Sequence, residues 1–235
     1  MRFTDRGIVL NSIKTREKGL VLHFFSEEKG RISYFIGGIG DKKKGKHPSL
    51  IYPGALLEVI GLDRVKSSLG QVTQFEAIEL LSELRFSFSK SALSIYATEL
   101  LSLILPDGYT NPDLYHFIVY ALRSLNAGKV GVFAVWFTAN LSSFFGMAPV
   151  PSPGEYFDLR EAHFCSKRPE HPDFMDGQSA EIFRNSLAFI GAKLEDCAFQ
   201  LEGKSQCLED WLRYLRIQND SKLSLKSLSI LQTLF

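Results

Sequence analysis

Apolar and polar residues alternate with a period of about two through the first 80 residues, a pattern typical of half-buried β-strands. Glu27-Glu28-Lys29-Gly30 separates two of the apolar runs, and a short loop that ends in glycine is typical of a hairpin. Five strands within about eighty residues predict a small barrel. The predicted strands are Gly7–Ile13, Leu20–Phe25, Arg31–Ile36, Ala55–Ile60 and Gln71–Ile78.

The period changes to about 3.6 residues after Ser82, which predicts helices in most of the remaining chain. Asn111-Pro112-Asp113 is the clearest helix start, because it offers an N-cap, a first-turn proline and an N-terminal acid. Residues 147–178 are rich in proline and are predicted to form a loop or an irregular hairpin. The predicted helices are Ser87–Leu105, 111–127, Val130–Phe145, Ser179–Ile190 and Ser205–Ile217, with a short final helix within 223–231.

These patterns predict an α+β protein with an N-terminal five-stranded OB-fold barrel followed by a mostly helical domain. A chain of 235 residues with 45% hydrophobic and 23% charged residues is long enough for two globular units. We place a nucleic-acid-binding barrel domain at residues 1–80 and the helical domain at 81–235. The helical domain carries the irregular insertion at about 147–178.

The amino terminus lacks a positively charged leader followed by an apolar stretch, and the apolar runs are shorter than the roughly 20 residues that cross a bilayer. Cys165, Cys197 and Cys207 are odd in number and widely spaced, which disfavours a disulfide framework. We therefore expect a cytoplasmic protein without a membrane span.

Positive charge is concentrated in the barrel segment, where 13 Lys and Arg stand against 9 Asp and Glu, while the rest of the chain holds 14 against 17. The glycine-rich, basic stretch 37–47 is predicted to be a mobile loop between the third and fourth strands. Cations along a groove on a small barrel neutralise phosphates, although a solvated loop without a ligand is the alternative. The candidate DNA-binding residues are Lys14, Arg16, Lys18, Arg31, Lys42, Lys43, Lys44 and Lys46.

Aromatic residues near these basic segments have two alternative roles. They stack with bases in a groove, or, on the inward phase of a strand, they fill the core, which is the commoner case. The residues concerned are Phe24, Phe25, Tyr34, Phe35 and Tyr52. Gly37-Gly38-Ile39-Gly40 lacks the spacing of a phosphate-binding loop and is predicted to be a hinge or turn.

Motifs of known catalytic chemistry are missing from the sequence, which has no nucleophile elbow and no His-Glu-x-x-His. We therefore predict that the protein is not an enzyme and that it uses no catalytic residue, no cofactor and no metal. His163, Cys165 and His171 could ligate one ion, but their spacing matches no closed four-ligand pattern, so a polar loop is predicted there. A metal-dependent hydrolase centred on these three residues is an alternative that elemental analysis would test.

Motifs spread over nearly the whole chain resemble the RecO family of bacterial DNA repair and recombination mediator proteins. The resemblance includes the Gly-rich basic loop that ends near Tyr52-Pro53. The other matching segments are Gly7-Ile8-Val9-Leu10, Phe25-Ser26-Glu27-Glu28-Lys29-Gly30-Arg31, Tyr96-Ala97-Thr98-Glu99-Leu100-Leu101, Phe144-Phe145-Gly146 and Leu225-Lys226-Ser227-Leu228.

This resemblance implies a protein that binds single- and double-stranded DNA, anneals complementary strands and helps load the recombinase onto protein-coated single strands. It implies as partners RecR, the C-terminal tail of single-stranded-DNA-binding protein and, indirectly, RecA. Many members hold zinc with four cysteines after the third large helix, but this chain offers only Cys165 there, so we expect the zinc site to be lost and the segment remodelled. The alternative function is a protein–protein interaction scaffold with an OB-like barrel and no DNA role.

Overall fold

The fold is known from a computed structural model that describes residues 2–15, 19–39, 47–63, 69–128, 130–197, 203–220 and 223–233. Five strands close into a barrel in the order β1-β2-β3-β5-β4, in which β3 and β5 are parallel and the other pairs antiparallel. The prediction of an α+β protein with an OB-like N-terminal barrel is confirmed. The strands are β1 (Arg2–Lys14), β2 (Gly19–Ser26), β3 (Gly30–Gly37), β4 (Leu56–Leu62) and β5 (Gly70–Glu79).

The barrel closes around the inward phase of its strands. Leu22, Phe24, Ile36, Val59 and Val72 are completely buried in one apolar cluster. Each such side chain removed from water contributes about 1.5–3 kcal/mol, so the alternation along the sequence fixes which face of each strand lies inside.

A small polar cluster is nevertheless buried among these apolar side chains. The carboxylate of Asp5 accepts hydrogen bonds from the hydroxyl of Ser26, at 2.6 Å, and from the phenol of Tyr34. Because a buried carboxylate is costly without such partners, the two hydroxyls stabilise Asp5 inside the barrel. Burial and the hydrogen bond to Asp5 raise the pKa of Tyr34.

Helices follow the barrel, as the change of period predicts. The side-chain oxygen of Asn111 accepts a hydrogen bond from the amide of Leu114 at 3.0 Å, which confirms the predicted N-cap. A single helical turn, α1, precedes the first predicted helix and is absent from the prediction. The helices are α1 (Glu83–Phe86), α2 (Phe88–Ile104), α3 (Pro112–Ala127), α4 (Phe133–Phe144), α5 (Gly177–Ser186), α6 (Lys204–Gln218) and α7 (Leu228–Gln232).

The proline-rich insertion contains a small antiparallel sheet. Strands β6 (Tyr156–Asp158) and β7 (His163–Cys165) form a hairpin, and β8 (Phe174–Met175) pairs with the other edge of β6. The predicted irregular hairpin is therefore present and is extended by a third strand.

The chain divides into two compact units, Met1–Ala127 and Gly128–Phe235. The first unit contains the barrel with α1 to α3, and the second contains α4 to α7 with the small sheet. The two units are defined by the contacts between their residues, which do not show whether either unit folds alone. The domain boundary predicted at residue 80 therefore stays a prediction. Within the described ranges, no helix is both long and apolar enough to cross a membrane.

Candidate nucleic-acid interface

Two basic segments of the barrel begin side by side at one of its ends. The amide of Thr15 donates a hydrogen bond to the carbonyl of Gly19 at 2.9 Å, which closes the β1–β2 turn. Gly19 is also the strand partner of Gly37, the last residue of β3. The β1–β2 turn and the β3–β4 connection therefore leave the barrel from neighbouring positions on adjacent strands.

Most of the candidate DNA-binding residues belong to these two segments. Lys14 is exposed at the end of β1, one residue before the turn. The remaining candidates in the two segments lie outside the described residues, and their roles stay predictions: Arg16, Lys18, Lys42, Lys43, Lys44 and Lys46. The predicted mobile loop is likewise described only at its ends, because residues 40–46 lie outside the described ranges.

A third basic segment, which the charge pattern does not single out, is the β4–β5 turn. It contains Arg64 and Lys66, both outside the described residues, and two cations within three residues of sequence are the signal that could have identified it. Leu62 at the end of β4 pairs with Gln71 of β5, and Gln71 pairs with Phe35 of β3. The turn therefore begins beside the half of β3 that the other two segments border.

A row of outward-facing side chains crosses the barrel between these segments. Strand register aligns one residue from each strand, and we call this row the outer belt: Ile13, Val21, Phe35, Gln71 and Leu62. Its two ends are apolar and exposed, since Ile13 retains 58% and Leu62 retains 49% of its accessible surface. Four of the five residues are apolar and one of these, Phe35, is aromatic. Proteins that hold single strands combine a basic groove with aromatic side chains, so the row and its basic borders are a candidate for such a groove.

A second outward pair lies beside the outer belt on β2 and β3. The Nδ1 atom of His23 lies 2.9 Å from the hydroxyl of its strand partner Ser33. Burial lowers the pKa of His23, and the nearby charge of Arg31 lowers it further. The imidazole is therefore neutral at pH 7 and offers hydrogen bonding rather than positive charge.

Arg31, another candidate DNA-binding residue, is engaged within the first unit. Its guanidinium donates a hydrogen bond to the carbonyl of Leu105 and pairs with the carboxylate of Asp107 at 3.2 Å. It lies at the start of β3, whereas the basic segments border the end of that strand at Gly37. Arg31 therefore lies at the opposite end of β3 from the start of the lysine-rich connection, and a DNA contact for it stays a prediction.

The stacking alternative is wrong for three of the five aromatic residues. Phe24, Phe25 and Tyr34 are buried to at least 98%, so no base can reach their rings. Tyr52 is half-buried and its hydroxyl lies 3.3 Å from the carbonyl of Leu81, to which it donates. Phe35 alone of the five is a partly exposed residue of the outer belt.

The residues of the hydrolase alternative lie in and near the small sheet. The Nε2 atom of His171 is 3.2 Å from a carboxylate oxygen of Asp158, and the thiol of Cys165 donates to the carbonyl of Lys167. Burial raises the pKa of Cys165, and the charge of Asp158 raises it further, so the group is a neutral thiol at pH 7. In the part of the chain that the structure describes, no three His, Cys, Asp or Glu residues are grouped to hold a metal ion.

Two family models and several relatives match this chain, and all of them carry the same family name. The family model described as "Recombination protein O N terminal" matches residues 1–81, and "Recombination protein O C terminal" matches residues 85–176. A DNA repair protein RecO of Bacteroides fragilis is 24% identical over 97% of both chains. Those of Azobacteroides pseudotrichonymphae and Porphyromonas gingivalis are 22% and 26% identical over the full length of both chains.

Among solved structures, an aspartyl-tRNA synthetase of Entamoeba histolytica matches with a TM-score of 0.21 at 10% identity, covering 91% of this chain and 56% of that one. The two family models together span most of the sequence, from the first strand of the barrel into the small sheet. The named relatives match along nearly their entire length. The chain therefore belongs to the RecO family of DNA repair proteins.

Proposed function

We propose that this protein binds single- and double-stranded DNA through its barrel and anneals complementary strands. The observation that carries the proposal is the pairing of Gly19 with Gly37, because it starts the β1–β2 turn and the lysine-rich connection next to each other. Seven of the eight candidate cations, all but Arg31, belong to these two neighbouring segments.

Electrostatic neutralisation is the proposed mechanism of annealing. Two complementary strands repel each other through their phosphates, and cations that neutralise both strands lower that repulsion. Binding releases counterions, so the logarithm of the affinity for single strands falls with the logarithm of salt concentration by about 0.7 per phosphate contacted. No covalent chemistry is required, and the protein acts as a mediator rather than as an enzyme.

Family membership supports the rest of the proposal. In the cytoplasm, the protein would act with RecR and with the C-terminal tail of single-stranded-DNA-binding protein, and it would help load RecA onto protein-coated single strands. The interaction scaffold without a DNA role is the competing function, and it predicts no salt-dependent DNA binding.

An annealing assay with complementary oligonucleotides, run over a salt series, tests the proposal. We expect replacement of Lys42, Lys43, Lys44 and Lys46 by alanine to slow annealing and to flatten the salt dependence by up to about 0.7 for each phosphate that is no longer neutralised. A control with the same charge change in the second unit should keep the wild-type slope: Lys167, Lys193, Lys204 and Lys226 to alanine. Equal slopes for the two variants would remove the lysine segment from the mechanism, and wild-type binding that ignores salt would favour the scaffold.

A further inference from the structure

We infer that an exposed apolar patch on the first unit is a contact surface between two copies of this chain. It lies where the barrel joins the helices, and we call it the junction patch: Ile78, Leu80, Phe86 and Phe88. These side chains retain 44%, 67%, 73% and 69% of their accessible surface. Contact between two copies goes beyond the proposed DNA binding and does not depend on it.

The junction patch is too dense to be ordinary surface. Single apolar side chains at a protein surface are normal, whereas several together mark an interaction site. Here four large ones are exposed within eleven consecutive residues. Leu81 and Leu84 in the same stretch retain only 1% of their surface, so the stretch is packed firmly against the unit while the patch faces solvent.

Contacts with the end of α3 hold the patch together. The carboxylate of Glu79 pairs with Arg123 at 2.7 Å, and two groups bind Asn126: the amide of Glu83 at its side-chain oxygen, at 2.9 Å, and the ammonium of Lys90 at its carbonyl, at 2.6 Å. The two α3 residues are three positions apart, about 4.5 Å along the helix axis. Every residue of the junction patch is within three positions of one of the three anchored residues, so the four side chains surround the same end of α3.

The charges that border the patch include both signs. Glu83 pairs with Lys90 at 3.7 Å, which adds a second ion pair to that of Glu79 with Arg123. The guanidinium of Arg85 lies over the ring of the next residue, 5.0 Å from its centroid. A phosphate backbone is bound by an excess of cations, whereas an aromatic and arginine centre within a mixed polar rim is typical of protein interfaces.

A second copy of the chain matches this composition. In a two-fold contact the same surface meets itself, so an apolar centre needs a rim that offers both acids and bases. Phenylalanine side chains bury about 150–250 Å² each, so the two exposed rings offer roughly 200–350 Å². Stable interfaces bury about 800 Å² per partner, and the aliphatic side chains and the charged rim add to the area of the rings.

Sedimentation over a protein concentration of about 0.5–100 μM tests the contact, because interfaces of this size have micromolar or tighter affinities. We expect the average mass of the wild type to rise from one chain towards two. The double variant Phe86→Ser, Phe88→Ser should raise the dissociation constant of the dimer by at least about tenfold.

Leu103→Ser is the matched control for this series. Leu103 is 41% exposed and lies on the same helix as Phe88, fifteen positions further on and therefore about 22 Å away. The control should form dimers as the wild type does. A wild type that stays a single chain throughout the range, or an equal loss in the control and the double variant, would overturn the inference.

A second experiment reports burial of the patch itself and does not depend on the double variant. In Phe88→Trp, the emission of the new indole should shift to shorter wavelength as the protein concentration rises, and in Leu103→Trp it should stay constant. The native Trp136 and Trp211 are at least 99% buried and provide a constant background. A dimer in which the emission of Phe88→Trp does not move would place the contact elsewhere and contradict the inference.

The same Phe88→Trp variant identifies a different occupant. At a concentration where the protein is a single chain, a single-stranded oligonucleotide should leave the emission of the new indole unchanged. A shift that saturates with DNA would assign the junction patch to nucleic acid and overturn contact between copies. Loss of DNA annealing with dimer formation intact would concern the proposed function alone.

Discussion

The Nε atom of Arg31 lies 3.2 Å from the carboxylate of Asp107, in the connection between α2 and α3. Two backbone hydrogen bonds join Arg31 to the same connection. The amide of Arg31 donates to the carbonyl of Tyr109, and the amide of Gly108 donates to the carbonyl of Arg31. The start of β3 is thus attached to the helices of the first unit by both its backbone and its side chain. We therefore expect Arg31 to act mainly on stability.

Replacing Arg31 by alanine should lower the free energy of unfolding by about 1.5–3 kcal/mol, since it removes a charged donor from the carbonyl of Leu105. The salt dependence of DNA binding should remain that of the wild type. Asp107→Ala is the matched control, because the Asp107 side chain is 90% exposed and its pair with Arg31 contributes less than about 1 kcal/mol. Urea denaturation measures the stability of the two variants. If Arg31→Ala is as stable as the wild type and its DNA binding depends less on salt, Arg31 contacts DNA rather than stabilising the fold.

Gly30 fixes the close approach of β3 to the same connection. Its φ of +68° is in the left-handed region, and an added Cβ would overlap the carbonyl oxygen of Tyr109. Gly30→Ala should therefore cost more than the roughly 1–2 kcal/mol of the backbone conformation alone. Gly108→Ala isolates that backbone cost, because Gly108 has a φ of +72° and nothing within 4 Å of its added Cβ. Urea denaturation compares the stabilities of the two variants. Equal losses of stability would show that the α2–α3 connection moves aside for the new methyl group without a further loss.

Two features of the sequence predict most of the observed elements: the alternation of apolar and polar residues, and the residues that begin a helix. All five barrel strands are predicted because one face of each is buried, and α3 is predicted because Asn111 and Pro112 define its start. The first predicted strand begins five residues too late, since the opening residues Arg2 to Arg6 are mostly polar and become strand only by pairing with β4. Such pairing is a tertiary contact that no local pattern contains.

The candidate site shows the same limit. The basic residues can be named from composition, but the adjacency of their segments depends on the pairing of Gly19 with Gly37. Periodicity places Phe35 on the phase opposite Tyr34, yet the close approach of its ring to Gly19 and Gly37 appears only once β2 and β3 are aligned. Likewise the sequence shows only that Arg31 is a cation. Its structural role could not be predicted, because its partners Leu105 and Asp107 are distant along the chain.

The buried phenol of Tyr115 should make the stability of the protein depend on pH in the alkaline range. Burial raises its pKa to about 12, with smaller contributions from the charges of Glu27 and Asp5. Because the folded state holds the proton more tightly than the unfolded state, whose phenol titrates near 10, this contribution to stability is complete below pH 10 and is lost as the pH rises towards 12.

In Tyr115→Phe the titrating group is gone, so we expect urea midpoints to fall less steeply above pH 10 than those of the wild type. The remaining fall reports other phenols with raised pKa values, among them Tyr214 with a pKa of about 12. Each protein is referenced to its own midpoint at neutral pH, which removes any difference in packing. Parallel curves for the two proteins would show that Tyr115 ionises as readily folded as unfolded.

The small sheet of the second unit is held by aromatic packing. The ring of Phe157 on β6 is completely buried, with ring centroids of Phe164, Phe183 and Tyr214 at 4.8, 4.7 and 5.7 Å. Cys165 is the only cysteine within residues 147–178, which is the basis of the sequence prediction that a zinc site is lost there. We expect this aromatic cluster to stabilise the segment, and the loss of the zinc site stays a prediction.

Two measurements of thermal unfolding check this role. A chelator should leave the unfolding temperature of the wild type unchanged, whereas Phe157→Ala should cost about 3–5 kcal/mol through the cavity it leaves. Phe174→Ala on β8 is the control: Phe174 is only partly buried, with its ring centroid 5.9 Å from that of Tyr156, so its loss should be smaller. A lower unfolding temperature in chelator would mean that a bound metal contributes, and a Phe157→Ala variant as stable as the Phe174→Ala control would mean that the cluster does not hold the sheet.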